Sequence, residues 1–179
     1  MSTVLHSNPG FADVVRKAPA SARRSRARED PGVPTIEAVR SFLADEHGLA
    51  VVSTVQSDRR VSSSVVNCGV HAHPVTGEEC IALVSGGTAA RLGHIRAGSQ
   101  VTVVVRRGWR WVGVSGPAEL IGPDDETEGI DAEGLRLLLR SIFQAAGGTH
   151  EDYDEYDRAM TAERRVAVFV RPDRVLGTG

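Results

Sequence analysis

Lysine is nearly absent from this chain. Lys17 is the only one among 21 basic residues, so an ordered anion site has to be built from arginine, histidine or backbone N–H groups. Cysteine is scarce too. Cys68 and Cys80 are the only two, and they lack metal-site or redox spacing; two thiols leave a disulfide open but fit a reducing compartment. No apolar run approaches the ~18 residues of a membrane span, and no Sec-type apolar region opens the chain. The expected location is therefore cytoplasmic, with no membrane partner. The net charge is −2, which gives no global pull toward nucleic acid. Also missing are a Ser–His–Asp elbow, a Walker loop, HExxH and GxGxxG. Without an acid–base signature no catalytic residue is assigned. Chemistry done on this chain would be carried by a cofactor that the protein binds, orients and shields from water.

What is present is a soluble globular chain of 179 residues, 41% hydrophobic and 25% charged, long enough for one domain with a real core. Residues 1–34 are poor in periodic apolar positions and rich in Ala, Ser, Arg and Pro. They read as a disordered tail, with a transit-peptide-like segment or a flap over a neighbouring subunit as alternatives. The folded domain is expected over 35–179. Thr35 caps a helix whose apolar face carries Ile36, Val39, Phe42 and Leu43, and Gly48 ends it. Strands follow at Leu49 to Val55, Val61 to Val70 and Ile81 to Ser85. Val101 to Val105 and Trp109 to Ile121 form a hairpin about an Arg106-Arg107-Gly108 turn, bent at Gly116-Pro117. Asp131 starts a helix with Leu135, Leu138, Leu139, Ile142 and Phe143 on one face, stopped by Gly147-Gly148. Thr149 caps a last helix, and Arg165 to Leu176 is the sixth strand. Six closely spaced strands with one helix between the third and fourth predict a small antiparallel barrel, mainly β with flanking helices.

The stretch from Ile81 to Arg96 organises the rest. A buried strand runs into Gly86-Gly87, where glycine permits close approach and φ > 0. Thr88 stands as helix N-cap, and the helix continues to Arg96. A strand, a glycine turn and a helix N-terminus form an anion-holding device. Arg91 in the first turn opposes the helix dipole and makes sense facing a phosphate or carboxylate. The alternative is an ordinary strand–turn–helix with a solvated arginine.

Five segments together carry a family likeness: LAVVSTV with RVSSSVVN, SGGTAARLGHIR, VTVVVRRGWRWVGVSGPAELIGPDD, AAGGTHEDYDEYDRAM and RRVAVFVRPDRV. In order and spacing the chain resembles the split-barrel flavin and deazaflavin proteins related to pyridoxamine 5′-phosphate oxidase, and within them the actinobacterial branch that uses coenzyme F420. The resemblance implies a six-stranded split β-barrel of the FMN-binding type, dimeric, with cofactor sites at the subunit interface. It implies a basic residue followed by Leu that binds cofactor phosphate, here Arg91-Leu92. Relatives often place a second basic residue before it, where this chain has Ala90; Thr88 and the N–H groups of Ala89 and Ala90 would then contribute more. Ser62, Ser64, Val65, Val66 and Asn67 would lie along the ring, with Val84 and Ser85 bordering it. The implied function is hydride transfer from reduced F420 to an unsaturated small molecule. FMN as an oxidase or flavin reductase cofactor is the alternative, as is a non-catalytic flavin, deazaflavin or haem binder.

Other positions carry two readings. Ser62 to Ser64 fit a solvent-facing edge or a cofactor surface. Trp109 and Trp111, on one strand face, fit a core or dimer interface or a substrate-pocket wall from the partner subunit. His71 and His73 have HxH spacing, yet Pro74 and Gly77 make a plain surface hairpin the simpler account, so no metal site is assigned. His94 shares a helix face with Arg91 and would touch either phosphate or protein. The acids from Glu151 to Asp157 are most simply a solvated helix start.

Overall fold

The computed structural model describes residues 34–178. The tail expected over residues 1–34 lies outside them except for Pro34. Helix α1 (Ile36–Asp45) is capped as expected, the Ala38 N–H donating to Thr35 Oγ1 at 3.4 Å, and its Val39, Phe42 and Leu43 are buried. After it run β1 (Leu49–Val55), β2 (Val61–Ala72), β3 (Glu79–Ser85), α2 (Ala90–Arg96), β4 (Val101–Arg107), β5 (Arg110–Gly116) and β6 (Ala118–Ile121). The chain then forms α3 (Ala132–Ala145), α4 (Tyr153–Ala162), β7 (Val166–Val170) and β8 (Arg174–Gly177).

The strands make one antiparallel sheet in the order β6-β7-β3-β2-β1-β4-β5-β8. Eight strands appear where six are expected, for one physical reason. Pro117 and Pro172 cannot donate to a ladder. The predicted fifth strand therefore divides into β5 and β6, and the predicted sixth into β7 and β8. The divided halves go to opposite edges of the sheet, so the chain itself joins those edges and the sheet curls into a barrel. At this joint Gly116 is obligatory: a Cβ there would lie 1.9 Å from the Arg171 carbonyl oxygen.

Two cores result. The barrel interior holds Val52, Ile81, Leu83, Val103, Val114 and Val168 with Leu92 of α2 and Phe42 of α1. The second core lies between the outer face of β3, β6 and β7 and helix α3, where Ala82, Ile121 and Phe169 meet Leu138, Leu139 and Ile142. Strand β7 (VAVFV) is buried on both faces and accordingly reads as an unbroken apolar run. Cys68 belongs to the inner core and Cys80 to the outer one. Both are free thiols, and burial pushes Cys68 up to about 12 and raises Cys80 as well.

The outer face of β1, β4, β5, β8 and the first half of β2 carries exposed apolar side chains. Cross-strand register lines up Val65, Val51, Val104, Gly113 and Leu176 in one row. Val65 is 65% exposed, Val51 41% and Leu176 41%. The next row is polar, with Ser53 bonded to Ser63 at 2.8 Å and Thr102 to Ser115 at 3.1 Å.

Several local expectations change. Thr149 does not cap α4; Asp152 does, accepting from the N–H groups of Asp154 and Glu155. The β4–β5 turn is Gly108-Trp109 between paired Arg107 and Arg110. Gly108 at φ 60° supplies the positive φ that a two-residue hairpin loop needs at its first central position. Trp109 therefore stands in the turn, fully exposed, while Trp111 sits within β5, so the two do not share a strand face. Among the described residues no helix is long and apolar enough to cross a membrane.

Candidate functional site

Strand β2 is shared between two halves of the sheet, and the site opens where they part. Residues 61–67 pair with β1, whereas pairing with β3 covers only Cys68 to Ala72, opposite Leu83 to Glu79. Val84 and Ser85 pair with β7 instead. Between Val61 and Asn67 one edge of β2 thus has no strand partner among the described residues. Backbone groups along such an edge are free to take hydrogen bonds from a ligand.

A cleft of about 590 Å³ occupies this split, within the ~300–1,000 Å³ typical of small-molecule sites. Val66 and Asn67 of β2, Val84 of β3 and Arg91 of α2 form one side. Phe143, the α3 terminus at Gly147-Gly148, Tyr156 and Met160 form the other. Helix α3 reaches this position because two glycines admit its last turn. A Cβ at Gly69 would lie 2.2 Å from the Ala145 carbonyl oxygen, and one at Gly48 2.3 Å from that of Ala146. The Phe143 and Tyr156 rings pack at 4.9 Å. The Tyr156 hydroxyl donates to the Leu139 carbonyl at 3.3 Å, and burial pushes its pKa up to about 12, so it stays a neutral phenol. Asn67 Nδ2 donates to the His47 carbonyl at 2.9 Å, fixing the mouth.

The cation of the cleft is Arg91. It donates to Ser85 Oγ at 3.0 Å and to Ser64 Oγ at 2.7 Å. Burial pulls its pKa down. Neither partner is charged, and no Asp or Glu lines the cleft. Elsewhere arginines sit on carboxylates: Arg96 on Asp125, Arg136 and Arg140 on Asp157, Arg165 on Glu163. A half-buried guanidinium held only by hydroxyls keeps an unmet demand for an anion.

The anion device differs from its sequence form. Thr88 is not the N-cap; Ala89 is, with no side-chain cap bond. The Ala89 N–H is already donated to the Gly86 carbonyl at 3.0 Å, and α2 is only seven residues long. Of the two features, the Arg91 side chain rather than a helix terminus is the one left available to an anion. Neither Gly86 nor Gly87 has positive φ. Gly87 is needed for close approach instead: its Cβ would lie 2.4 Å from the Arg164 carbonyl oxygen, while Gly86 has nothing within 4 Å. Gly87→Ala is accordingly expected to cost ~1–3 kcal/mol, and Gly86→Ala to stay within ~0.5 kcal/mol. Equal urea midpoints for the two variants would contradict this packing.

The other sequence-selected residues disperse. Ser62 faces the same side as Ser64, half-buried, and Val65 points to the opposite, exposed face. Ala90 is exposed and Ala89 packs against the barrel core. His94 Nδ1 pairs with Thr54 Oγ1 at 2.8 Å, a contact with protein. His71 bonds Ser141 at 3.0 Å. His73 is 5% exposed, not a surface residue. Its Nδ1 accepts from the Val75 and Thr76 N–H groups at 3.3 Å, which puts the proton on Nε2 and removes that nitrogen as a metal ligand. Nε2 lies 3.3 Å from Glu119 Oε2 but out of line for a hydrogen bond. Among the described residues no group of three His, Cys, Asp or Glu side chains is placed for a metal. The acids at 151–157 are solvated except Asp157, which the hydrogen-bonded Arg140 and then Arg136 hold below the usual carboxylate range.

Sequence reading missed the far wall: Phe143, Tyr156, Met160 and Arg165. Their one local signal was Gly69 in mid-strand, which marks a close backbone approach.

No family model matches the chain. Among solved structures, a conserved hypothetical protein, Rv2991 from Mycobacterium tuberculosis, superposes with a TM-score of 0.57 at 16% identity, over 81% of this chain and 85% of that one. A pyridoxamine 5′-phosphate oxidase-related, FMN-binding protein from Nostoc punctiforme gives 0.52 at 12%, over 78% and 80%. The chain has the split-barrel fold. A protein described as an F420 reductase shares it, with a TM-score of 0.50 at 14% identity over 71% and 87%. The expected fold is thereby met, with the strand count corrected.

Proposed function

We propose that this split-barrel chain is an oxidoreductase that binds reduced coenzyme F420 and transfers a hydride to an unsaturated small molecule. The observation that carries this reading is the uncompensated Arg91 cation at the end of a cleft with an unpaired strand edge. The residues fit such a group. Arg91, with Ser64 and Ser85 aligning its guanidinium, would hold the phosphate. Val66, Asn67 and Val84 would border the ring, and the free edge of β2 would offer it backbone hydrogen bonds. When bound, the reduced cofactor supplies the hydride. The protein's share is to bind, orient and exclude water; the Tyr156 hydroxyl proton is committed to the Leu139 carbonyl, so the proton that balances hydride addition comes from solvent. The F420 reductase and the FMN-binding Nostoc protein of the same fold support a flavin-type cofactor.

FMN is the second reading. It is favoured because Arg91 is the cleft's one arginine without a carboxylate partner, Arg165 being paired with Glu163, and one phosphate needs one cation. The exposed row of Val65, Val51 and Leu176 supports a homodimer through that sheet face, since contiguous apolar surface marks an interface; a single-chain mass by light scattering would remove the dimer. The activity test follows the absorbance of reduced F420 with the chain and a quinone or enone acceptor. Chain-dependent oxidation is expected. Binding without turnover would make the chain a carrier, and a yellow, FMN-loaded preparation indifferent to F420 would favour the second reading.

A further inference from the structure

A second cleft adjoins the first. Its volume is about 700 Å³, and it shares Met160 and Arg165 with the cofactor cleft. Its floor is apolar, formed by Ile121, Ile130, Leu135, Leu139 and Met160. Its electrostatics are opposite to those of its neighbour. The cofactor cleft is lined by Arg91, Arg165 and His47 with no carboxylate. The second cleft carries Asp125, Glu126, Glu128, Asp131 and Asp157 against Arg136, Arg164 and Arg165. Those arginines are already committed, Arg136 to Glu133 and Asp157, Arg164 to Asp124 and Arg165 to Glu163.

Among the acids, Asp125 is held by Arg96 in two bonds of 2.9 and 2.6 Å, and Asp131 caps α3 through the Gly134 N–H at 2.8 Å. Among the described residues Glu126 and Glu128 have no cation partner. They are not on a loose strap. Gly122 and Asp125 exchange backbone hydrogen bonds at 3.1 Å, and the Arg96–Asp125 and Arg164–Asp124 pairs anchor the same loop from α2 and from the α4–β7 turn. Two uncompensated carboxylates are therefore held at the rim of an apolar cavity that opens beside the cofactor cleft.

We propose that this second cleft is the acceptor site, and that it selects an apolar, conjugated acceptor bearing a positive charge over one bearing a carboxylate. The apolar floor takes the conjugated body, Glu126 and Glu128 meet the cationic group, and the Met160 side brings that body against the cofactor cleft. The inference rests on the oxidoreductase reading for the word acceptor; the charge selectivity of the cleft does not. Trp109 and Trp111 line neither cleft within this chain.

The test is calorimetric binding of two naphthoquinones of equal length, one ending in a trimethylammonium group and one in a carboxylate, to the full chain at low salt. The ammonium compound is expected to bind about tenfold more tightly, the scale of two exposed charge contacts. The preference should shrink severalfold in the exposed-loop variant Glu126→Gln/Glu128→Gln, which touches no core residue. Leu135→Trp, filling the floor, should abolish binding of both compounds while cofactor affinity holds. Equal binding of the two quinones, or a preference that survives the double variant, would overturn the proposal. If F420 and FMN both fail to bind but the Glu-dependent preference is present, the oxidoreductase reading fails and the cationic site stands.

Discussion

Replacing Arg91 with alanine is expected to weaken binding of F420 or FMN about 10- to 150-fold, the ~1.5–3 kcal/mol of a hydrogen bond to a charged group. The fold should be nearly indifferent. Arg91 sits half-buried between the hydroxyls of Ser64 and Ser85, an arrangement in which burial already disfavours its charge. Removing it relieves that cost and leaves one buried hydroxyl, Ser85, without its partner, so the two effects offset to within ~1 kcal/mol. Arg91→Lys should fall between, keeping the charge but losing the planar fork that two hydroxyls align. Parallel thermal unfolding and fluorescence titration separate the two outcomes. Loss of affinity with a retained melting temperature supports the assignment. Unchanged affinity would take Arg91 out of the site.

Gly69→Ala carries a large expected effect on both stability and the cleft. The added methyl would sit 2.2 Å from the Ala145 carbonyl oxygen and 2.8 Å from the Ala146 nitrogen. Backbone at the end of a helix cannot rotate away as a side chain can, so α3 must shift off β2. Overpacking of this kind costs ~1–3 kcal/mol and sometimes more, which for a chain of this size lowers Tm by roughly 2–4 °C per kcal/mol. Because α3 carries Ile142 and Phe143 on the cleft wall, cofactor affinity should fall with it. Gly93 is the matched control. It lies within α2, exposed, with nothing within 4 Å of an added Cβ, so Gly93→Ala should stabilise by ~0.5–1 kcal/mol through helix propensity. Equal melting temperatures for the two variants would contradict the close seating of α3.

The contrast between those glycines shows what the sequence could and could not convey. Helices α1 and α3 were legible because their apolar residues recur with the helical period and their caps, Thr35 and Asp131, are local. The β4–β5 hairpin was legible because two apolar strand runs flank a glycine turn, although the turn is Gly108-Trp109. Pro117 announced a break, but its consequence is tertiary: β6 pairs with β7 at the far edge of the sheet. The Arg91 end of the candidate site was half legible. Arg91, Ser64 and Ser85 come together as the sequence suggested, yet the N-cap placed on Thr88 belongs to Ala89, and of the glycine pair only Gly87 is needed, through contact with Arg164 rather than through φ. The far wall was illegible. Tyr156, Met160 and Arg165 are more than sixty positions from Arg91, and only the seating of α3 on Gly48 and Gly69 puts them opposite it.

The central claim is that the split between β2 and β3 holds a phosphate-bearing, flavin-type ring. Titration of the full chain with F420 and with FMN, followed by cofactor fluorescence, tests it most directly. Saturable binding of at least one at tens of micromolar or tighter, suppressed by inorganic phosphate and weakened by Arg91→Ala, is the expected result. No binding of either at that concentration would contradict it.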